Sequence, residues 1–205
     1  VLLSVSILSV DAQVDKLAGP RVGVTMVQAG SLASILRKDV SLFSDDIREE
    51  WTGSTGKYGA VMSQYGWQWE SRFLDGGDVV GIVEWIALVG GMEKGMFLPS
   101  VSSMVGLRTA SGFEFAAGPN LSLGGIAMVI GIGKTLKFGK LNVPVNIAYV
   151  PSMDKTYNHS GPYYEDFVDP DGIENSGDEY WDVGEDEGYS VTHPTGARIS
   201  VMVGF

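Results

Sequence analysis

Cysteine is absent from the 205-residue chain. That absence excludes a disulfide framework, thiol catalysis and cysteine-based zinc sites. Basic residues are scarce, with 14 Lys and Arg against 25 Asp and Glu and a formal net charge of −11. Phosphate neutralisation needs clustered Lys and Arg, so nucleic acid is excluded as a partner. No apolar run reaches the ~20 residues of a membrane-spanning helix. Sustained helical periodicity is missing outside 31–51.

What the chain does hold is glycine and apolar side chains. There are 28 Gly, 44% of residues are hydrophobic, and the mean hydropathy is +0.11. The length suits one domain with a sizeable core. A positive hydropathy sits oddly with so large a charge, and the distribution of charge explains it. Residues 152–193 contain twelve acids and one base, Lys155, so this segment alone carries the full −11. The remaining thirteen acids and thirteen bases cancel. The insert also holds Tyr157, Tyr163, Tyr164, Tyr180, Trp181 and Tyr189, whereas disordered acidic tracts are poor in aromatics.

The first ten residues, VLLSVSILSV, are apolar with interspersed serine, and Val10 and Ala12 fit the small-residue pattern before a signal-peptidase cut. Residues 1–12 are therefore expected to be a signal-peptide remnant and 13–205 one exported domain. The following segments read as strands: RVGVTMVQ (21–28), VMSQYGWQWESRFL (61–74), VVGIVEWIALV (79–89), 97–108, FEFAAG (113–118), GIAMVIGIGKTLKF (125–138), LNVPVNIAYV (141–150) and ARISVMVGF (197–205). Asp75-Gly76-Gly77-Asp78 is a tight-turn signature. Short helical turns are expected within 29–59, at SLASILRK and SLFSDDIREEW, where Ser44 resembles a helix start. Short connections alternate with longer ones, and those after the first and seventh strands are longest. The connections after the third and fifth strands are expected to be of intermediate length. Pro99 and Pro144 fall inside proposed strands, where proline is tolerated at edges or bulges.

Strand parity separates two faces. Tyr65, Trp67, Trp69 and Phe73 alternate with Gln68, Glu70 and Arg72. Phe113 and Phe115 flank Glu114. Val101, Val105 and Leu107 oppose Ser102, Gly106 and Arg108. Ile199, Val201, Val203 and Phe205 oppose Arg198, Ser200 and Gly204. Alternation by itself does not say which face is inside. Tryptophans beside short turns suit an interfacial aromatic girdle, and a lipid-facing Arg at mid-bilayer costs ~2–4 kcal/mol. The expected fold is therefore all-β: an eight-stranded antiparallel up-and-down transmembrane β-barrel with short periplasmic turns and long outer loops. Its lumen is expected to hold a plugging charge network of Gln68, Glu70, Arg72, Glu84, Arg108, Glu114 and Arg198. The segments around Glu84 and Val129 are apolar on both faces, which fits strands against a partly apolar lumen or strands covered on both sides.

The chain finishes on Phe205, with apolar residues at every second position before it. From about Gly19 to Phe205 it resembles the small eight-stranded outer-membrane β-barrels, OmpA-like in the broad sense. GFEFAAGPNLSL (112–123) and KLNVPVNIAYVPS (140–152) resemble barrels of Bacteroidetes-type bacteria. The resemblance implies a bacterial outer-membrane location and contact with outer-membrane lipid. It supplies no active-site motif.

Candidate chemistry is sparse. Asp169, Asp171, Asp178 and Glu179 surround a glycine turn and could ligate Ca²⁺, which wants six to eight oxygens, but their spacing departs from an EF-hand loop; a solvated turn is the plainer reading. His159, Ser160 and His193 lack a nucleophile elbow. GIGKT (131–135) lacks phosphate-loop spacing. No enzymatic role is expected. The expected function is a structural or surface-interaction role through the outer loops 29–59 and 152–196, which would meet another surface protein or ligand. The alternatives are a barrel that binds or passes a small or hydrophobic ligand, or a lipid-modifying enzyme.

Overall fold

A computed structural model describes residues 16–39, 57–139, 141–158, 163–168, 180–184 and 190–205. Along the chain these form β1 (Gly19–Val27), α1 (Ser31–Arg37), β2 (Ala60–Asp75), β3 (Val79–Gly90), a 3-10 turn (Met92–Lys94), β4 (Leu98–Thr109), β5 (Phe113–Ser122), β6 (Gly125–Phe138), β7 (Leu141–Val150), β8 (Asp154–Asn158), β9 (Tyr163–Val168), β10 (Tyr180–Gly184), β11 (Ser190–Pro194) and β12 (Arg198–Gly204). Eight strands close a barrel in the order β1-β12-β7-β6-β5-β4-β3-β2. Every neighbouring pair is antiparallel. Closure leaves no free edge in the barrel.

Turn chemistry sets the hairpins. Asp75 Oδ1 accepts the Gly77 amide at 3.1 Å, and Gly77 takes φ 78°, which glycine adopts without penalty. The β2–β3, β4–β5 and β6–β7 turns share one end with both barrel termini. The β1–β2, β3–β4 and β7–β12 connections leave from the other end. The connection between β5 and β6 corrects the sequence reading. The strand at 113 runs on through Pro119 and Asn120 to Ser122, so this connection is tight rather than intermediate.

Proline placement follows from its missing N–H. Pro99 lies just before the first β4–β5 pair, Ser100↔Ser122. Pro144 lies just beyond the last β12–β7 pair, Val203↔Val145. Pro119 is inside β5, and there the β4–β5 ladder lapses between Ser102↔Asn120 and Val105↔Ala117.

The pleat delivers two faces of opposite character. Outward rows carry Val22, Val24, Tyr65, Trp67, Trp69, Trp85, Val105, Phe115, Ile130, Ile132 and Ile147, all exposed. Trp67, Trp69 and Trp85 sit in the middle of β2 and β3, not beside the short turns, where Phe73, Phe113 and Phe138 stand instead. Phe73 lies over Gly81 of the neighbouring strand, an aromatic covering a glycine. The outward Lys134 donates to the Ser111 carbonyl at 2.6 Å, and its Nζ sits 3.8 Å from the Phe113 ring centroid.

Inward rows carry Arg21, Thr25, Gln64, Gln68, Glu70, Glu84, Arg108, Glu114 and Asn120, all buried. Apolar residues fill the remaining interior. Val80 and Ile82 pack with Ala110 near the tight-turn end, so β3 is apolar on both faces because part of the lumen is apolar. Met104, Ala116, Ala127, Val129 and Val150 form a second cluster, joined by Ile86 and Ala148. At the long-loop end, Ala33 and Leu36 of α1 pack on Val27, Met62 and Leu98. This helix stops where Lys38 turns left-handed at φ 64°. The lumen is thus filled by side chains, as eight strands permit.

The β7–β12 hairpin continues beyond the barrel. Val150↔Arg198 ends the barrel ladder, and Asp154↔Pro194 resumes it in the same register. The Thr195 amide bridges the gap by donating to the Met153 carbonyl at 2.8 Å. Further along, β9 pairs with β10, with a register shift at Asp182/Val183. The acidic insert is therefore a β-ribbon where it is described, rather than a plain loop.

Gly204 faces Arg21 so closely that any Cβ there would overlap the guanidinium. Gly204→Val is expected to push Arg21 off its partners and cost roughly 1–3 kcal/mol. Urea unfolding followed by heat-modifiable gel migration checks this.

Candidate functional site

The strand register creates a local electrostatic problem inside the barrel. Glu70 on β2 stands directly opposite Glu84 on β3, and like charges directly opposite destabilise a sheet. Arg108, on the next strand, resolves it. Its Nη2 lies 2.7 Å from Glu70 Oε2 and 3.4 Å from Glu84 Oε1. It also meets its own cross-strand partner, Glu114: Nε and Nη2 donate to Glu114 Oε2 at 2.8 and 2.5 Å. Arg108 is 1% exposed and Glu84 2%. The guanidinium, with five N–H donors in a planar fork, is well suited to serve three carboxylates at once.

A second arginine closes the network into a ring. Arg21 Nε donates to Gln68 Oε1 at 2.8 Å, and Gln68 Nε2 donates to Glu84. Arg21 Nη2 donates to the Leu17 carbonyl at 3.2 Å, while the Leu17 amide donates to Glu70 Oε2 at 3.2 Å. The chain just before β1 thus enters the lumen and helps close the tight-turn end. Asn146 Nδ2 donates to the other oxygen of Glu114 at 3.0 Å.

Of the seven lumen residues read from sequence, Gln68, Glu70, Glu84, Arg108 and Glu114 come together. Arg72 is peripheral, with Nε 3.9 Å from Glu70 Oε1 and its side chain 21% exposed. Arg198 lies apart. It donates to Ser122 Oγ at 3.3 Å and Asn120 Oδ1 at 3.2 Å, and Asn120 donates to Ser102 Oγ at 2.9 Å. Its partners there are a hydroxyl and an amide. Arg21 joins the cluster instead, through Gln68 and the Leu17 carbonyl rather than through an ion pair. Parity could have found Arg21, because it shares the phase of Thr25 while Val22, Val24 and Met26 hold the opposite phase.

Beside the cluster is a cavity of about 40 Å³, with Arg21, Gln68, Glu84 and Glu114 on its polar wall and Met104 and Met202 on its apolar wall. One water needs roughly 10–15 Å³ of such space, so a few waters fit. Among the described residues, no set of three or more His, Asp or Glu is placed to hold a metal. The Ca²⁺ candidates Asp169, Asp171, Asp178 and Glu179, together with His159, Ser160 and residues 1–12, lie outside the described residues. His193 is buried on β11, and burial pushes its imidazole below the usual range.

At the long-loop end Glu93 ties the β3–β4 connection to β2. It accepts the Ser63 amide at 3.1 Å and the Ser63 hydroxyl. That hydroxyl is the main reason its carboxyl sits below the ordinary glutamate range. A depressed folded-state pKa means the tie is complete above the ordinary carboxyl range and is lost as pH falls through the folded value. Acidification is expected to lower the protection of the Ser63 amide before that of the other barrel amides, measurable by hydrogen exchange corrected for the intrinsic rate at each pH.

Removing Arg108 strands three buried carboxylates. Arg108→Leu is expected to cost ~3–5 kcal/mol, the range for breaking a buried pair from one side. Glu84→Gln keeps a polar group and removes one like charge, so its cost is expected to be well under half of that. Urea midpoints of the two variants check the ranking.

No family model matches this chain, and neither the curated proteins nor the solved structures give a match.

Proposed function

We propose that this chain is an outer-membrane β-barrel with a closed lumen, which anchors and presents its long-loop end for surface interaction. The observation that carries the reading is the inverted polarity of the barrel. Its outward rows are apolar and aromatic, and its inward rows hold the buried charges. A barrel in water buries its apolar face, whereas a barrel in lipid turns it outward. The apolar, signal-like character of residues 1–10 supports export. β2 to β7 have ten or more residues each, which meets the ~9–11 that a tilted spanning strand needs.

The filled lumen favours display over transport. Ion pairs occupy the middle, Leu17 and Ile82 lie toward one end, and α1 covers the other. The cavity holds a few waters at most, which disfavours a barrel that passes a ligand. The features left to act outside the membrane are the 29–59 and 152–196 segments. The second of these carries the molecule's whole net charge.

The purified protein is expected to need detergent, to migrate faster unboiled than boiled, and to give no stable conductance steps in planar bilayers. Solubility without detergent overturns the membrane reading. Reproducible single-channel steps overturn the closed lumen.

A further inference from the structure

We infer that the ribbon rising from β7 and β12 accepts a positively charged, extended segment of a partner protein as an added strand, chiefly along β9–β10. The inference rests on the display reading above and names the partner chemistry of that surface.

The first argument is topological. All eight barrel strands are paired on both sides. Among the described residues, free strand edges belong to β8, β9, β10 and β11, which form two-stranded ladders and nothing more. An isolated two-stranded ribbon is marginal in water. Its edges present unpaired N–H and C=O groups, the template used in strand addition. Proteins usually blunt such edges with lysine or proline. Lys155 and Pro194 do this near the barrel, on β8 and β11. The outer strands YYEDFV (β9) and YWDVG (β10) contain neither.

The second argument is charge. Asp166 stands directly opposite Asp182 in the β9–β10 ladder, with Glu165 next in sequence. Like charges directly opposite work against the ladder, and a cation supplied across the edge offsets this. The surrounding insert carries eleven net negative charges, which draws a cationic partner. A lone Ca²⁺ fits less well, because it wants six to eight oxygens and the register sets only two acidic residues opposite one another. Trp181 stands opposite Phe167, and Tyr164 opposite Val183. Of these, Trp and Tyr are the types that dominate interface energetics. The segment that fits is a β-strand with Lys or Arg at alternate positions.

The test uses the full chain in detergent micelles and a fluorescent eight-residue peptide alternating Lys and Val. Anisotropy is expected to show saturable binding that weakens about tenfold or more between 50 and 300 mM salt, as screened charge attraction does. Amides in 163–168 or 180–184 should gain hydrogen-exchange protection. The same peptide N-methylated at alternate residues keeps its charge but loses donors, and is expected to bind roughly tenfold more weakly. Asp166→Asn with Asp182→Asn is expected to weaken binding about fivefold or more, with heat-modifiable migration unchanged. Equal binding of the N-methylated peptide overturns strand addition, as does protection confined to the barrel. Ca²⁺ uptake by the protein without peptide uptake also overturns it. Those failures leave a sealed, detergent-requiring barrel intact, whereas conductance or detergent-free solubility defeats the display reading itself.

Discussion

Arg108 sits between Glu70 and Glu84, which the register sets face to face, and Glu114, its own cross-strand partner. The β2–β3 hairpin cannot slip to relieve Glu70 and Glu84, because a one-residue slip would exchange its faces and turn Trp67, Trp69 and Trp85 into the lumen. The like-charge pair is therefore fixed by the outward apolar row, and Arg108 is the group that makes it tolerable. Glu114 completes the arginine's coordination from the adjacent strand. Four side chains thus tie β2, β3, β4 and β5 in one place. Buried ion pairs are weak evidence for net stability, yet breaking one from a single side is costly.

The rest of the interior follows from that constraint. Arg21 and Gln68 extend the cluster to β1, and the chain before β1 is drawn inward because Glu70 takes the Leu17 amide. Glycine at 204 leaves room for the Arg21 guanidinium. Apolar side chains fill what the charges do not, and α1 covers the end from which the long connections leave. Among the described residues, the β7–β12 hairpin is the one that runs on past the barrel in register.

Much of the fold was legible in the sequence because a period of two survives any environment. Tyr65, Trp67 and Trp69 against Gln68 and Glu70 announce a strand with two faces, whichever face is inside. The short turns were legible through Asp75-Gly76-Gly77-Asp78. The end of β5 was not, because Pro119-Asn120 reads locally as a turn. In the barrel Pro119 is carried through by continuous pairing with β6, at the expense of a lapse toward β4. The tryptophans were assigned correctly to the outward row but not to their height, since height depends on strand offset between neighbours. The site divided in the same way. Inward phase identifies the charged set, but it does not tell that Arg198 meets Ser122 and Asn120 while Arg21 reaches Gln68 beside the acids.

By itself, then, the sequence determined the class of fold, the alternation of faces and the confinement of net charge to one insert. These follow from side-chain order along the chain, which no packing can alter. Only the tertiary structure decided which charges meet, because partners come from strands whose relative stagger is set by closure. It also decided that the acidic insert extends the β7–β12 ladder as a ribbon with open edges. Backbone pairing between residues far apart in the chain, such as Asp166 and Asp182, leaves no local trace.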